Sequence, residues 1–328
     1  MTRRIVSGFL SLALFSMAAA GQVASRPEVE IVKPKDYLPL NAKADAALQA
    51  ALEREVAELI KSHPGGVGDD QIAVTVIDLS DTADPRMAAY RGEASIYPAS
   101  VVKMFYMAAL HRQLEDGKIT LTKELERGLR DMIVDSSNEA TQYIVDVLTD
   151  TASGSELPDE KLFQVWSTRR NRMNRYFSSM GYTNINVNQK THCEDAYGIE
   201  QQFRNYKGDN RNLLTSNASA RLIAEIALGR VGSPERTTLM MKLLERDPFA
   251  EKNANSQATD FSGKALIDLG LKEAKLWSKA GWTSRTRHDA AYIELPNGKK
   301  FAVAVFTENR SNDKDLIPAM VKRVISIL

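Results

Sequence analysis

The chain has 328 residues, of which 43 are Lys or Arg and 42 are Asp or Glu, for a formal net charge of +1. That balance excludes a nucleic-acid partner held by charge, and the length admits a large core in one domain or in two intertwined ones. Cys193 is the lone cysteine, so no internal disulfide is available and a free thiol is expected; His63, His111, His192 and His288 lack metal-ligand spacing, so neither metal nor cofactor is expected.

Taken in order, the chain opens with Arg3 and Arg4, an apolar run over 5–17 and Ala18-Ala19-Ala20. This is the pattern of a secretory signal peptide, residues 1–20, with an apolar run too short to span a bilayer. Its removal would take the formal charge from +1 to −1. A periplasmic or secreted protein with no integral membrane segment is therefore expected. Pro27, Pro34 and Pro39 make 21–40 an extended linker. Leu48, Leu52, Val56, Leu59 and Ile60 recur at helical spacing over 41–61, and His63-Pro64-Gly65-Gly66 stops that helix. Residues 71–79 and 87–91 read as strands.

The next stretch is Tyr97-Pro98-Ala99-Ser100-Val101-Val102-Lys103, followed by an apolar run through Leu110. A helix opening here is buried on nearly every face and places Ser100 and Lys103 on the same side, three residues apart. A serine hydroxyl needs a neighbour to take its proton, and a lysine does so when burial or positive charge lowers its pKa. Ser is also a common helix cap and Ser-x-x-Lys is a loose pattern, repeated at Ser311-Asn312-Asp313-Lys314.

Helices are predicted at 121–133 and 139–148, separated by Asp135-Ser136-Ser137-Asn138, and one long amphipathic helix at 159–180, ended by Gly181. Residues 188–212 are polar and aromatic without a period, the kind of long segment that often carries function. Helices follow at 217–228 and 233–245, the latter capped by Ser233 with Pro234 in its first turn. Residues 250–264 read as a loop. Strands at 274–281, 289–295 and 300–307 follow, the last two joined by Pro296-Asn297-Gly298, and a helix closes the chain over 316–328.

With strands at both ends and helices between, the fold class is α/β: an antiparallel sheet flanked by N- and C-terminal helices, with an inserted all-α subdomain. The expected division is 41–95 with 215–328 for the sheet subdomain and 96–214 for the helical one, with the site in the crevice between them.

Three elements occur in order: Ser100-Val101-Val102-Lys103, Ser136-Ser137-Asn138 and Lys279-Ala280-Gly281. They resemble the Ser-x-x-Lys, Ser-Asp-Asn and Lys-Thr-Gly elements of class A β-lactamases and penicillin-binding proteins, and the resemblance extends over about residues 45–328. It implies the β-lactamase/transpeptidase-like fold, an acyl-enzyme on Ser100 and proton abstraction helped by Lys103. Ser136 would return a proton to the leaving nitrogen and Asn138 would hold the substrate amide. Lys279 would supply positive potential, and the backbone N–H groups of Ser100 and Trp282, beside Gly281, would form the oxyanion hole. Arg287 would bind the substrate carboxylate.

The sequence departs from the pattern in places. Ser137 and Ala280 replace an aspartate and a threonine, with Thr283 or Ser284 available in place of the latter, and the short segment between the first two elements implies a wide mouth. The family's deacylating Glu-x-x-x-Asn pattern is absent from 181–215, leaving Glu200, or alternatively Glu194, to position a water. The function implied is a secreted serine hydrolase of class A β-lactamase type. The alternatives are a D-alanyl peptidase or esterase acylated by β-lactams and a non-catalytic β-lactam or cell-wall binding protein. The implied ligand is a small β-lactam or a peptidoglycan-like peptide, and a monomer is expected.

Overall fold

The computed structural model describes residues 30–192, 195–250 and 255–328; the predicted signal peptide, Cys193 and Glu194 lie outside them. Two stretches far apart in sequence make the centre of the sheet. β2 (Ile72–Asp78) is buried at every position, and β7 (Lys300–Glu308) is buried at all but its end residues. They pair antiparallel with Val74 opposite Val305, so the two ends of the chain meet in one sheet. β6 (Thr286–Glu294) pairs with β7 across the turn at Gly298, whose φ of 85° suits glycine. β5 (Lys275–Trp282) pairs with β6. With β3 (Arg86–Tyr90) and the two-residue strands β1 (Lys43–Ala44) and β4 (Glu245–Arg246), the order is β1-β3-β2-β7-β6-β5-β4.

Alternation along these strands feeds two cores. Val74, Val76, Ile293, Val303 and Val305 pack with α1 (Ala46–Ser62), α11 (Ser262–Asp268) and α12 (Leu316–Ile327). Ala73, Ile77, Ala290, Tyr292, Ala304 and Phe306 face a helical layer centred on α2 (Val102–Glu115), which is buried at every position up to Leu114. Around it lie α3 (Lys123–Ile133), α4 (Asn138–Thr149), α6 (Arg172–Ser179), α8 (Ser216–Ala227) and α9 (Pro234–Leu244). The fold class expected from the sequence is the one observed. Part of the segment read as a linker packs on the helical layer: the Tyr37 hydroxyl reaches the buried Glu225 carboxylate at 2.9 Å, and the Leu40 amide donates to it at 2.8 Å.

Three local readings change. The helix predicted over 159–180 is two helices, α5 (Glu160–Arg170) and α6, broken at Asn171. There the Asn171 side chain donates to the Ser167 carbonyl and accepts from Asn174 and Asn188, a local alternative to the helical ladder. The aperiodic 188–212 segment contains α7 (Ile199–Arg204), entered through Gly198 at φ 58°, where a Cβ would lie 2.1 Å from the Gly154 carbonyl oxygen. The segment read as a loop at 250–264 carries α10 (Ser256–Thr259), capped by Asn255, and the start of α11. Helices of four to seven residues are too short to display a period.

Candidate active site

Ser100 lies in a single 3-10 turn, Ala99–Val101, that runs directly into α2 and puts Lys103 in the following turn. Ala99 before it has φ 46°, a left-handed conformation uncommon for a residue with a Cβ, and is buried. The turn is clamped from two sides. The Ile96 and Leu214 backbones exchange hydrogen bonds at 2.9 Å, and the fully buried His288 holds the Tyr97 carbonyl through Nε2 at 2.9 Å. Because the Thr307 amide donates to His288 Nδ1, the proton sits on Nε2. Burial pushes His288 down to about 4, so the ring is neutral at pH 7.

β5 closes the site from the other side. A Cβ on Gly281 would lie 2.7 Å from the Ser100 nitrogen, 2.8 Å from the Pro98 oxygen and 2.9 Å from the Val101 nitrogen. Only glycine lets the strand edge meet the turn this closely. The contact joins the first and third sequence elements and brings the backbone leading to Trp282 beside the amide of Ser100.

The second element lies between them. Lys103 Nζ donates to the Ser136 carbonyl at 2.6 Å, to Asn138 Oδ1 at 2.8 Å and to Ser136 Oγ at 3.4 Å. Lys279 Nζ donates to the same Ser136 Oγ at 3.0 Å. Ser136 has φ 58°, which turns its carbonyl toward Lys103. Ser137, where the resembled pattern has an acid, caps α4: its Oγ accepts from the Ala140 amide at 3.0 Å. One hydroxyl thus sits between two fully buried amines. Burial, then the charge of Lys103, then that of Arg246, hold Lys279 well below the usual lysine range.

Two contributors escaped the sequence reading. Gln257 on α10 accepts from Lys279 Nζ at 2.6 Å and from the Ala280 amide at 3.3 Å, while its Nε2 donates to the Val134 carbonyl at 2.8 Å, tying β5 to the end of α3. Arg246 on β4 is buried and donates to the Ile133 carbonyl at 3.2 Å. A glutamine in a presumed loop and an arginine at a helix end gave no periodic or motif signal.

Other candidates are placed elsewhere. Glu200 is buried against the Arg170 guanidinium, at 2.7 Å from Nη1 and 2.8 Å from Nη2, with Lys190 at 3.2 Å and the Ser153 hydroxyl at 2.9 Å. The hydrogen bonds and charges of these partners outweigh burial and hold its carboxyl below the usual range. Both oxygens are engaged by these partners. The Arg287 guanidinium lies 4.0 Å over the Phe261 ring and donates to the Asp260 carbonyl at 2.9 Å, rather than joining Lys279. The Thr283 hydroxyl is spent within its own turn, on the Arg285 and Thr286 amides, and Trp282 is half exposed against Phe261. Among the described residues no group of three His, Cys, Asp or Glu side chains is placed to hold a metal ion.

A sheet antiparallel in all but its short β1–β3 pair, whose β5 abuts a Ser-x-x-Lys turn with a second serine between two lysines, defines a β-lactamase/transpeptidase-like protein. A model of the beta-lactamase enzyme family matches residues 51–326, and the chain belongs to that family. Solved structures share the fold at low identity. A beta-lactamase from Sphaerobacter thermophilus DSM 20745 is 19% identical, with a TM-score of 0.58, over 86% of this chain and 96% of that one. An ancestral class A beta-lactamase is 20% identical with a TM-score of 0.59 (84% and 100%), and PBP-A is 16% identical with a TM-score of 0.58 (88% and 98%). No curated protein matches the chain.

Proposed function

We propose that the protein is a secreted serine hydrolase of class A β-lactamase type that opens β-lactams through an acyl-enzyme on Ser100. The observation that carries this is the convergence of Lys103 and Lys279 on Ser136 Oγ, beside a turn whose Ser100 amide meets Gly281. Two neighbouring buried amines disfavour each other's protonated form, which favours an unprotonated amine that can serve as a base. Lys103 takes the Ser100 hydroxyl proton as Oγ bonds to the lactam carbonyl carbon. The N–H groups of Ser100 and Trp282 hold the oxyanion, the carbon–nitrogen bond breaks, and Ser136 delivers its proton to the departing nitrogen while taking the one that Lys103 received. Lys279 meets the substrate carboxylate, whose charge favours the protonated amine that burial and Lys103 otherwise disfavour, and Asn138 steers the amide. Arg287 is a weaker choice for the carboxylate because Phe261 and Asp260 already hold it. In this reading the enzyme works as a monomer in the periplasm or outside the cell.

Release of the acyl group needs a carboxylate to position water. The ion pair with Arg170 argues for a structural Glu200, which leaves Glu194. The same engagement favours a second reading, a D-alanyl peptidase or esterase that β-lactams acylate and leave slowly. Nitrocefin hydrolysis measured beside D-alanine release from a peptidoglycan-like peptide separates the two. The first reading expects nitrocefin turnover that is lost in Ser100→Ala; peptidase activity without nitrocefin turnover overturns it.

A further inference from the structure

A cavity of about 680 Å³ opens between the 188–212 segment and the turn that follows β5. Tyr97, three residues before Ser100, lines one wall, and Thr283, next to Trp282, lines another. Ser136 and Lys279 are not among its walls. If Ser136 protonates the leaving nitrogen, the leaving group lies on that flank and the acyl portion of a substrate points toward this cavity. A space of this size holds a drug-sized group.

Its walls are rich in cations. Lys190, Arg204, Arg211 and Arg285 face Asp195 and Glu308. Lys190 is already consumed by Asp146 at 2.6 Å and Glu200 at 3.2 Å. The guanidiniums are not neutralised in the same way. Arg204 pairs with Asp195 at 3.2 Å and Arg211 with Asp209 at 3.0 Å, but those acids are 91% and 67% exposed. Ion pairs of that kind are weak and readily exchanged for a ligand anion. Arg285 forms no ion pair among the described residues and is exposed at the rim. The fields of Arg211 and Arg204 reach the Tyr97 phenol, where they oppose the upward push of burial.

We infer that this cavity is a carboxylate-selecting subsite for the acyl portion of the substrate, with Arg211 and Arg285 as the specificity-determining side chains and Arg204 behind them. Guanidinium forks match a carboxylate in two-point geometry, and partial exposure lets them reorient toward it. The inference rests on the acyl-enzyme reading and adds to it an anionic substrate class.

The test compares a penicillin bearing a phenylacetyl side chain with its analogue carrying a carboxylate on the benzylic carbon of that side chain. The second-order acylation rate is followed by intact mass in the parent and in an Arg211→Gln/Arg285→Gln variant. The parent is expected to prefer the carboxylated compound by about tenfold, the worth of one charge-assisted contact. The preference should shrink at high salt and disappear in the variant, whose rate with the phenylacetyl compound stays at the parental level. An unchanged preference in the variant, or none in the parent, overturns the subsite while leaving acylation standing. If neither compound acylates, the acyl-enzyme reading fails. Calorimetric binding of the two compounds then decides the subsite, because equal affinities overturn it and a preference lost in the variant sustains it.

Discussion

Replacing Gly281 by alanine puts a Cβ 2.7 Å from the Ser100 nitrogen, with the Pro98 oxygen at 2.8 Å and the Val101 nitrogen at 2.9 Å. All three obstacles are backbone atoms of one clamped turn, so no rotamer change relieves the contact. Either the end of β5 or the turn must move by several tenths of an ångström. That shift falls on the two amides assigned to the oxyanion, at Ser100 and Trp282, whose effect depends on distances of about 2.7–3.1 Å. Losing one such donor costs about 10²–10³ in rate, or roughly 2.7–4 kcal/mol of transition-state stabilisation. The global cost is smaller, about 1–3 kcal/mol for one overpacked methyl, so the variant is expected to fold. The assay is the second-order acylation rate with a fluorescent penicillin, alongside thermal melting. Acylation within about threefold of the parent, with unchanged melting, would refute the idea that this close approach builds the oxyanion site.

Other substitutions probe the surrounding physics. Lys279→Met should abolish acylation yet raise the melting temperature, since it removes a fully buried amine held far below its free value. In the parent, the unfolded chain binds more protons than the folded one from the depressed folded pKa up to the free lysine value of about 10.4, so stability rises with pH across that window. The variant should flatten this rise in melting scans at alkaline pH. His111 is buried with neither ring nitrogen bonded among the described residues and is pushed down by burial to about 4. Below its free value of about 6.5 the unfolded chain gains a proton that the folded one does not, so His111→Leu should recover up to about 2.7 kcal/mol in urea unfolding at pH 4.5 relative to pH 7. An equal effect at both pH values would count against this. Glu200→Gln leaves the buried Arg170 with only its longer ion pair to Asp146 at 3.5 Å and should cost about 3 kcal/mol in urea unfolding. A stable variant with a trapped acyl-enzyme would instead restore Glu200 as the deacylating base. Ser137→Ala removes the α4 cap and should cost about 1 kcal/mol by the same method.

Much of this site is local in sequence. Ser100 and Lys103 share one turn and its continuation, and Ser136, Ser137 and Asn138 are consecutive, so their grouping is readable from spacing. Lys279-Ala280-Gly281 is readable as the end of an apolar strand, and the fold class follows from strands at both ends enclosing helices. What spacing does not carry is the partner each side chain chooses. Gln257, 22 residues before Lys279, becomes its acceptor only once α10 folds against β5. Glu200 sits in a polar segment that suggests a free carboxylate, but Arg170 from α5 claims both its oxygens. Arg287 lies opposite Trp282 in the hairpin register, yet its side chain turns to Phe261. Asn171 breaks a helix whose apolar periodicity runs straight through it, because its side-chain hydrogen bonds compete with the backbone.

Acylation of Ser100 is the central event in this chemistry. Intact mass of the purified protein, recorded against time after adding a penicillin, should show an adduct of the drug's own mass, absent from Ser100→Ala. Its lifetime then reports deacylation: clearance with drug consumption marks a β-lactamase, and persistence marks an enzyme that β-lactams block. Equal adduct in the parent and in Ser100→Ala, or drug consumption unaffected by that substitution, would contradict the assignment of Ser100 as nucleophile.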